Sequence, residues 1–317
     1  MIGYATAIAI WMLQSIKKRD YKQDLLHFLQ KNITFADKNQ FTMKIKILYI
    51  PLFIVLYLLY GCTIKDPWSD LQNVYPCSPE IPEKIENSDF IYVTHEALLN
   101  NRIVRNYTLC FDKTKYAARW VAYPLHKSYR GNSGRTYDTR DVWPYDPEIS
   151  SSLQAVGKGG YNGYTRGHQI PSADRTATVD LNKQTFYMSN MTPQAYDFNG
   201  GIWLNLEDKV RSNMGKNDTI YVVTGAHWEN TDIKAGKYPV PTHYYKVVLK
   251  SHSGTSVYSA PKSDLRCIGF WMSHRATGTL NSSYCKSVKE IEQLTGFTFF
   301  PKVDVDKTQC VPSQWGF

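Results

Sequence analysis

Tyr164-Thr-Arg-Gly-His-Gln-Ile-Pro-Ser-Ala-Asp-Arg175 is followed by Ser189-Asn-Met-Thr-Pro-Gln194 and then by Phe198-Asn-Gly-Gly-Ile-Trp-Leu-Asn-Leu-Glu-Asp-Lys-Val-Arg211. The last of these segments turns helical. Trp203, Leu206 and Val210 recur at spacings of three and four, which predicts a helix over Trp203–Met214 with an apolar stripe. On such a helix Glu207 and Arg211 are four residues apart and share a face. The glycine-rich stretch 157–163 stands directly before the first segment.

Outward from this centre the pattern is β-rich. Phe90–Thr94, Asn106–Phe111, Ala118–Tyr123, Thr219–Thr224 and Tyr244–Leu249 read as strands, and Ser287–Leu294 as a second helix. No internal repeat is present. The expected fold class is α+β: a mixed, largely antiparallel sheet with flanking helices. With 43% hydrophobic and 21% charged residues, the chain has the composition of an ordinary globular protein rather than a disordered one.

The net charge of +9 invites a polyanionic partner. Residues 1–61, however, hold eight basic and three acidic side chains and so carry +5 of it. The remainder is only mildly basic, and charge alone identifies no substrate. The early residues read instead as an address. Met43 and two lysines precede the apolar run Ile47–Tyr60, which closes on Gly61-Cys62. That is the layout of a secretory signal, and the run is shorter than the ~20 residues a spanning helix needs. Leu59-Tyr-Gly-Cys62 resembles a bacterial lipobox, which makes Cys62 the expected lipidation site and the mature protein an exported, membrane-anchored lipoprotein of the periplasm or cell surface. The expected division is 1–42 as an over-extended start or leader, 43–62 as a signal peptide with lipobox, 63–88 as a proline-bearing tether, and 89–317 as the working domain. Of the remaining cysteines, Cys267 and Cys285 are the preferred pair on proximity in sequence, and none has the close spacing of a zinc site.

Hydrolysis of a phosphodiester requires a base to deprotonate water, a metal to stabilise charge on the phosphate, and cations to hold the polyanion. Histidine suits the first role at neutral pH. A hard ion such as Mg2+ keeps several waters and often takes only one or two protein oxygens, so an amide such as Asn199 can serve and Glu207 can orient bound water. Arginine grips phosphate through two hydrogen bonds at once.

Arg166-Gly167-His168, Ser189, Asn190, Pro193, Gln194, Asn199, Gly201, Trp203, Leu206, Glu207 and Arg211 together resemble the DNA/RNA non-specific endonucleases of the ββα-metal superfamily, which includes mitochondrial endonuclease G. The family hallmark is Asp-Arg-Gly-His; here Thr165 replaces the acid. The resemblance covers roughly residues 90–300 and implies a ββα-metal active-site motif. It implies His168 as general base, Asn199 as direct metal ligand, Glu207 as a ligand through water, Arg166 and Arg211 as phosphate-gripping and transition-state groups, and Asn190 as support. Arg140, before Trp143, stands about where the family places a further phosphate-binding arginine. Mg2+ is the implied cofactor, with Mn2+ as the alternative ion, and DNA and RNA are the implied substrates. Two competing readings are a surface-anchored nucleic-acid binder that lost turnover and a phosphodiesterase for another phosphate ester. Asp174-Arg175 reads as a surface ion pair, Trp203 as core, and His126, His227, His243, His252 and His274 as structural or exposed.

Overall fold

The computed structural model describes residues 78–133, 143–156, 159–215, 218–229 and 233–317. The leader with Cys62, most of the expected tether, and Arg140 lie outside the described residues.

Seven strands form one antiparallel sheet in the order β1-β2-β3-β6-β9-β10-β11. They are β1 Phe90–Leu99, β2 Arg102–Asp112, β3 Ala117–Leu125, β6 Ile220–His227, β9 His243–Ser251, β10 Leu265–Ser273 and β11 Cys285–Lys286. Two short strands, β4 Thr165–His168 and β5 Met191–Gln194, pair with each other outside it, as do β7 Lys234–Ala235 and β8 Tyr238–Pro239. Among the described residues the α-helices are α1 Val179–Gln184, α2 Leu204–Ser212 and α3 Val288–Thr295. The α+β class with a largely antiparallel sheet is the observed one.

Alternation along each strand decides which residues face which layer. Tyr123, Val222, Tyr244, Val248, Ile268 and Phe270 point to one face, where Phe198, Ile202, Trp203, Leu206 and Val210 of α2 and the turn before it pack on them. Trp120, Val223, Tyr245, Val247 and Leu249 point to the other, beneath Val288 and Ile291 of α3 and the segment Phe297–Val305. The sheet is therefore covered on both faces. Ser287 and Glu290 form a capping box that starts α3. β10 was not expected from the sequence, because Gly269 interrupts its apolar run. The glycine is there for packing: a Cβ at 269 would lie 2.5 Å from Ile291 of α3.

Two expectations are corrected here. Cys267 and Cys285 are both free thiols. In the β10–β11 register Cys285 lies opposite Phe270, three positions along from Cys267, whose Sγ instead donates to Asp306 O at 3.3 Å. Residues 78–88, expected as part of a tether, are packed against the domain. Glu80 is wholly buried in an ion pair with Arg105, and Glu83 N donates to Thr298 O. Ile81 and Ile85 pack on the α3-side core.

Candidate active site

β4 and β5 run antiparallel with Thr165 opposite Gln194, Arg166 opposite Pro193, Gly167 opposite Thr192 and His168 opposite Met191. Gly167 leaves room for the buried Gln194 side chain. Any Cβ there would sit 2.1 Å from the Gln194 side chain. After β5 the chain makes a wide turn over Phe198–Trp203, in which Gly201 leaves helical geometry (φ −112°, ψ −111°), and then enters α2. The predicted helix thus begins one residue later than expected. Two strands and a helix bring His168, Arg166, Asn199 and Glu207 onto one unit, which is the ββα arrangement.

Each group is held by identifiable neighbours. His168 is walled by aromatic edges, with Trp143 at 5.7 Å and Phe186 at 5.1 Å between ring centroids. The Arg166 guanidinium lies 4.5 Å over the Trp143 ring, a cation–π contact that fixes its direction. Asn190, fully buried, closes the chain that leaves β4. Its Oδ1 accepts from Ile170 N at 2.9 Å and its Nδ2 donates to Ile170 O and Thr185 O. Asn199 Nδ2 donates to Thr165 Oγ1 at 2.9 Å, and Asn199 N donates to Ala195 O. Ala195 N in turn donates to His274 Nε2 at 2.8 Å, so the His274 proton resides on Nδ1, which donates to Pro241 O. His274 is structural, as expected, but what it supports is the loop that carries Asn199.

Behind the site lies a buried charge network. Lys246, 1% exposed, donates to Thr224 Oγ1 at 2.7 Å and sits 4.7 Å over the Trp203 ring. Burial raises the Glu207 carboxyl and lowers the Lys246 ammonium, while the charges of Lys246 and Arg211 pull Glu207 back down. Arg211 is held at both ends of its fork. One terminal nitrogen donates to Asp174 Oδ1 at 2.8 Å and the other to Asp208 Oδ1 at 2.6 Å, so its fork is already engaged by carboxylates. Asp174-Arg175 is likewise no surface pair. Asp174 is buried and serves Arg211, whereas Arg175 is wholly buried, bound to Asn106 and Pro124 O, and stacked on Tyr129.

Trp143, Asp174, Lys246 and His274 were not assigned to the site from the sequence. Lys246 left one signal: it shares a strand face with the core residues Tyr244 and Val248, where a lysine needs a partner.

A profile of the DNA/RNA non-specific endonucleases matches residues 86–306. The chain belongs to that family. It is 34% identical over 221 residues to a nuclease of Nostoc sp., covering 68% of this chain and 78% of the relative. It is 30% identical over 234 residues to the nuclease of Serratia marcescens, covering 68% and 81%. It is 28% identical to the mitochondrial nuclease EXOG of Xenopus laevis over 73% of this chain, and spans 66% of that protein's length. The chain of an EndoG/EndoGI complex structure superposes with a TM-score of 0.55 at 21% identity, covering 73% of this chain and 92% of that one, which supports the fold. As a member of the endonuclease family this chain is a nuclease, a hydrolase, and nucleases of the family are metal-dependent.

The residues present fit a hydrated divalent cation. Among the described residues no cluster of three or more His, Cys, Asp or Glu side chains could cage a metal. Asn199, on the turn before α2, offers one amide oxygen and Glu207, on α2, one carboxylate, a donor set suited to a hard ion that keeps most of its waters.

Proposed function

We propose that the protein is a metal-dependent, sugar-non-specific endonuclease that hydrolyses phosphodiester bonds of both DNA and RNA, with His168 as general base and a single Mg2+ held at Asn199. The observation that carries this reading is the β4–β5–α2 unit, in which one strand presents Arg166 and His168 and the following turn presents Asn199 in hydrogen-bonded contact with that strand. His168 takes a proton from the attacking water. Arg166, aimed by Trp143, meets the phosphate oxygens. Asn199 Oδ1 would hold the ion directly and Glu207 would orient its waters; the ion, when bound, neutralises charge on the phosphoryl and leaving oxygens. Arg211 acts from behind, keeping Asp174 and Asp208 paired beside Glu207. Phosphate and metal contacts read no base, which accounts for the absence of sequence choice.

The leader fits export with lipid on Cys62, which mass spectrometry of the mature amino terminus tests. Digestion of plasmid DNA and of RNA with Mg2+, and its arrest by a chelator, tests the activity. No cleavage of either polymer in the presence of Mg2+ or Mn2+ overturns it.

A further inference from the structure

The family's acid before Arg-Gly-His is a threonine in this chain, and its hydroxyl has two neighbours. Thr165 Oγ1 lies 2.8 Å from Gln194 O and 2.9 Å from Asn199 Nδ2. A hydroxyl has one proton, and a backbone carbonyl can only accept. At 2.8 Å the proton must therefore lie on the line from Thr165 to Gln194 O, since two bare oxygens at that separation repel. Thr165 Oγ1 can then only accept from Asn199. The amide of Asn199 is obliged to turn its NH2 end toward Thr165 and its oxygen away. Bonding alone thus fixes which end of this symmetric-looking side chain is which, and among the described residues no donor reaches Asn199 Oδ1.

We propose that Thr165 is a positioning residue that locks the Asn199 amide with Oδ1 presented for the divalent cation. This rests on the reading of Asn199 as the metal ligand. A carboxylate at 165 would also accept from Nδ2, so the hydroxyl retains the property the amide needs while placing no negative charge there. Its own anchor is the β4–β5 ladder, because Thr165 and Gln194 are register partners. Without the hydroxyl the amide is free to rotate, and half of its orientations would point an NH2 group at the cation.

The test is Mn2+ titration of the full chain followed by electron paramagnetic resonance without nucleic acid, run beside plasmid cleavage as a function of metal concentration. Thr165→Val, which keeps the shape and loses both hydrogen bonds, is expected to weaken Mn2+ binding about tenfold and to raise the half-saturating metal concentration equally. Cleavage at saturating metal changes less than about threefold, and Thr165→Ser stays within about twofold of wild type. In an Asn199→Asp background the Val substitution should lose most of its effect, because a carboxylate offers oxygen at both ends. That last result separates amide orientation from a general loosening of the strand pair. Wild-type Mn2+ affinity in a folded Thr165→Val protein, or an equal loss in the Asn199→Asp background, overturns the inference and leaves the nuclease reading standing. Failure of the wild type to bind Mn2+ while it still cleaves overturns the inference alone, whereas absence of cleavage with either Mg2+ or Mn2+ overturns the nuclease reading.

Discussion

The two faces of the sheet differ in what they bury beside their apolar residues. Toward α3 the layer is apolar packing: Trp120, Val223, Tyr245, Val247 and Leu249 against Val288, Ile291 and Phe299. Toward α2 the same strands bury Lys246 and Thr224 among aromatic rings, with Asp174 and Arg211 close behind Glu207. Burying charge seldom stabilises a fold as well as apolar packing of similar volume does. Along these strands the α3 face is therefore apolar packing, whereas the α2 face adds a buried charge network to a large apolar core of its own.

Substitutions on the two faces should separate along this line. His168→Ala is expected to reduce cleavage by at least about 100-fold, the usual contribution of a general base, with an unchanged melting temperature. Full activity in that variant would refute the base assignment. Phe299→Ala on the α3 face should do the reverse, lowering stability by about 3 kcal/mol as large core truncations do, while cleavage by the protein that remains folded is unaffected. Equilibrium urea unfolding and plasmid nicking on the same samples show whether the effects divide in this way.

A finer probe is Lys246→Met, which keeps the stem and removes the charge. Glu207 then loses the strongest partner holding it ionised, and cleavage at neutral pH should fall about tenfold, recovering as pH is raised. A pH-independent loss would show that Lys246 matters only for packing.

The smallest effect is on stability at low pH. Burial lowers His274, and burial with Arg119 lowers His227 to about 4, both from an ordinary value of 6.5. Below 6.5 the unfolded chain binds protons that the folded chain refuses, so stability is complete above that pH and declines as pH falls toward 4. The melting temperature should drop by a few degrees over this window; constancy between pH 6.5 and 4.5 would argue against neutral buried histidines.

How much of this was legible in the sequence varies with the physics involved. Alternating strands such as Tyr244–Leu249 and the stripe of Trp203, Leu206 and Val210 are local patterns, and they were found. β10 was hidden because both of its faces are covered, which erases alternation, and because Gly269 answers to a helix far along the chain. The residues tied to a spaced motif, His168, Arg166, Asn199 and Glu207, are carried by successive elements: β4, the turn after β5, and α2. Asp174 and Arg175 were misjudged because adjacent opposite charges suggest an exposed pair, whereas their partners Arg211 and Asn106 are distant in sequence. Trp143 and His274 gave no local sign of what they touch.

The buried pairing of Glu80 with Arg105 also sets where the folded body begins. The segment from residue 78 onward is fastened to the domain, so a cut between residues 78 and 88 would take away part of the packed body rather than trim a loose end.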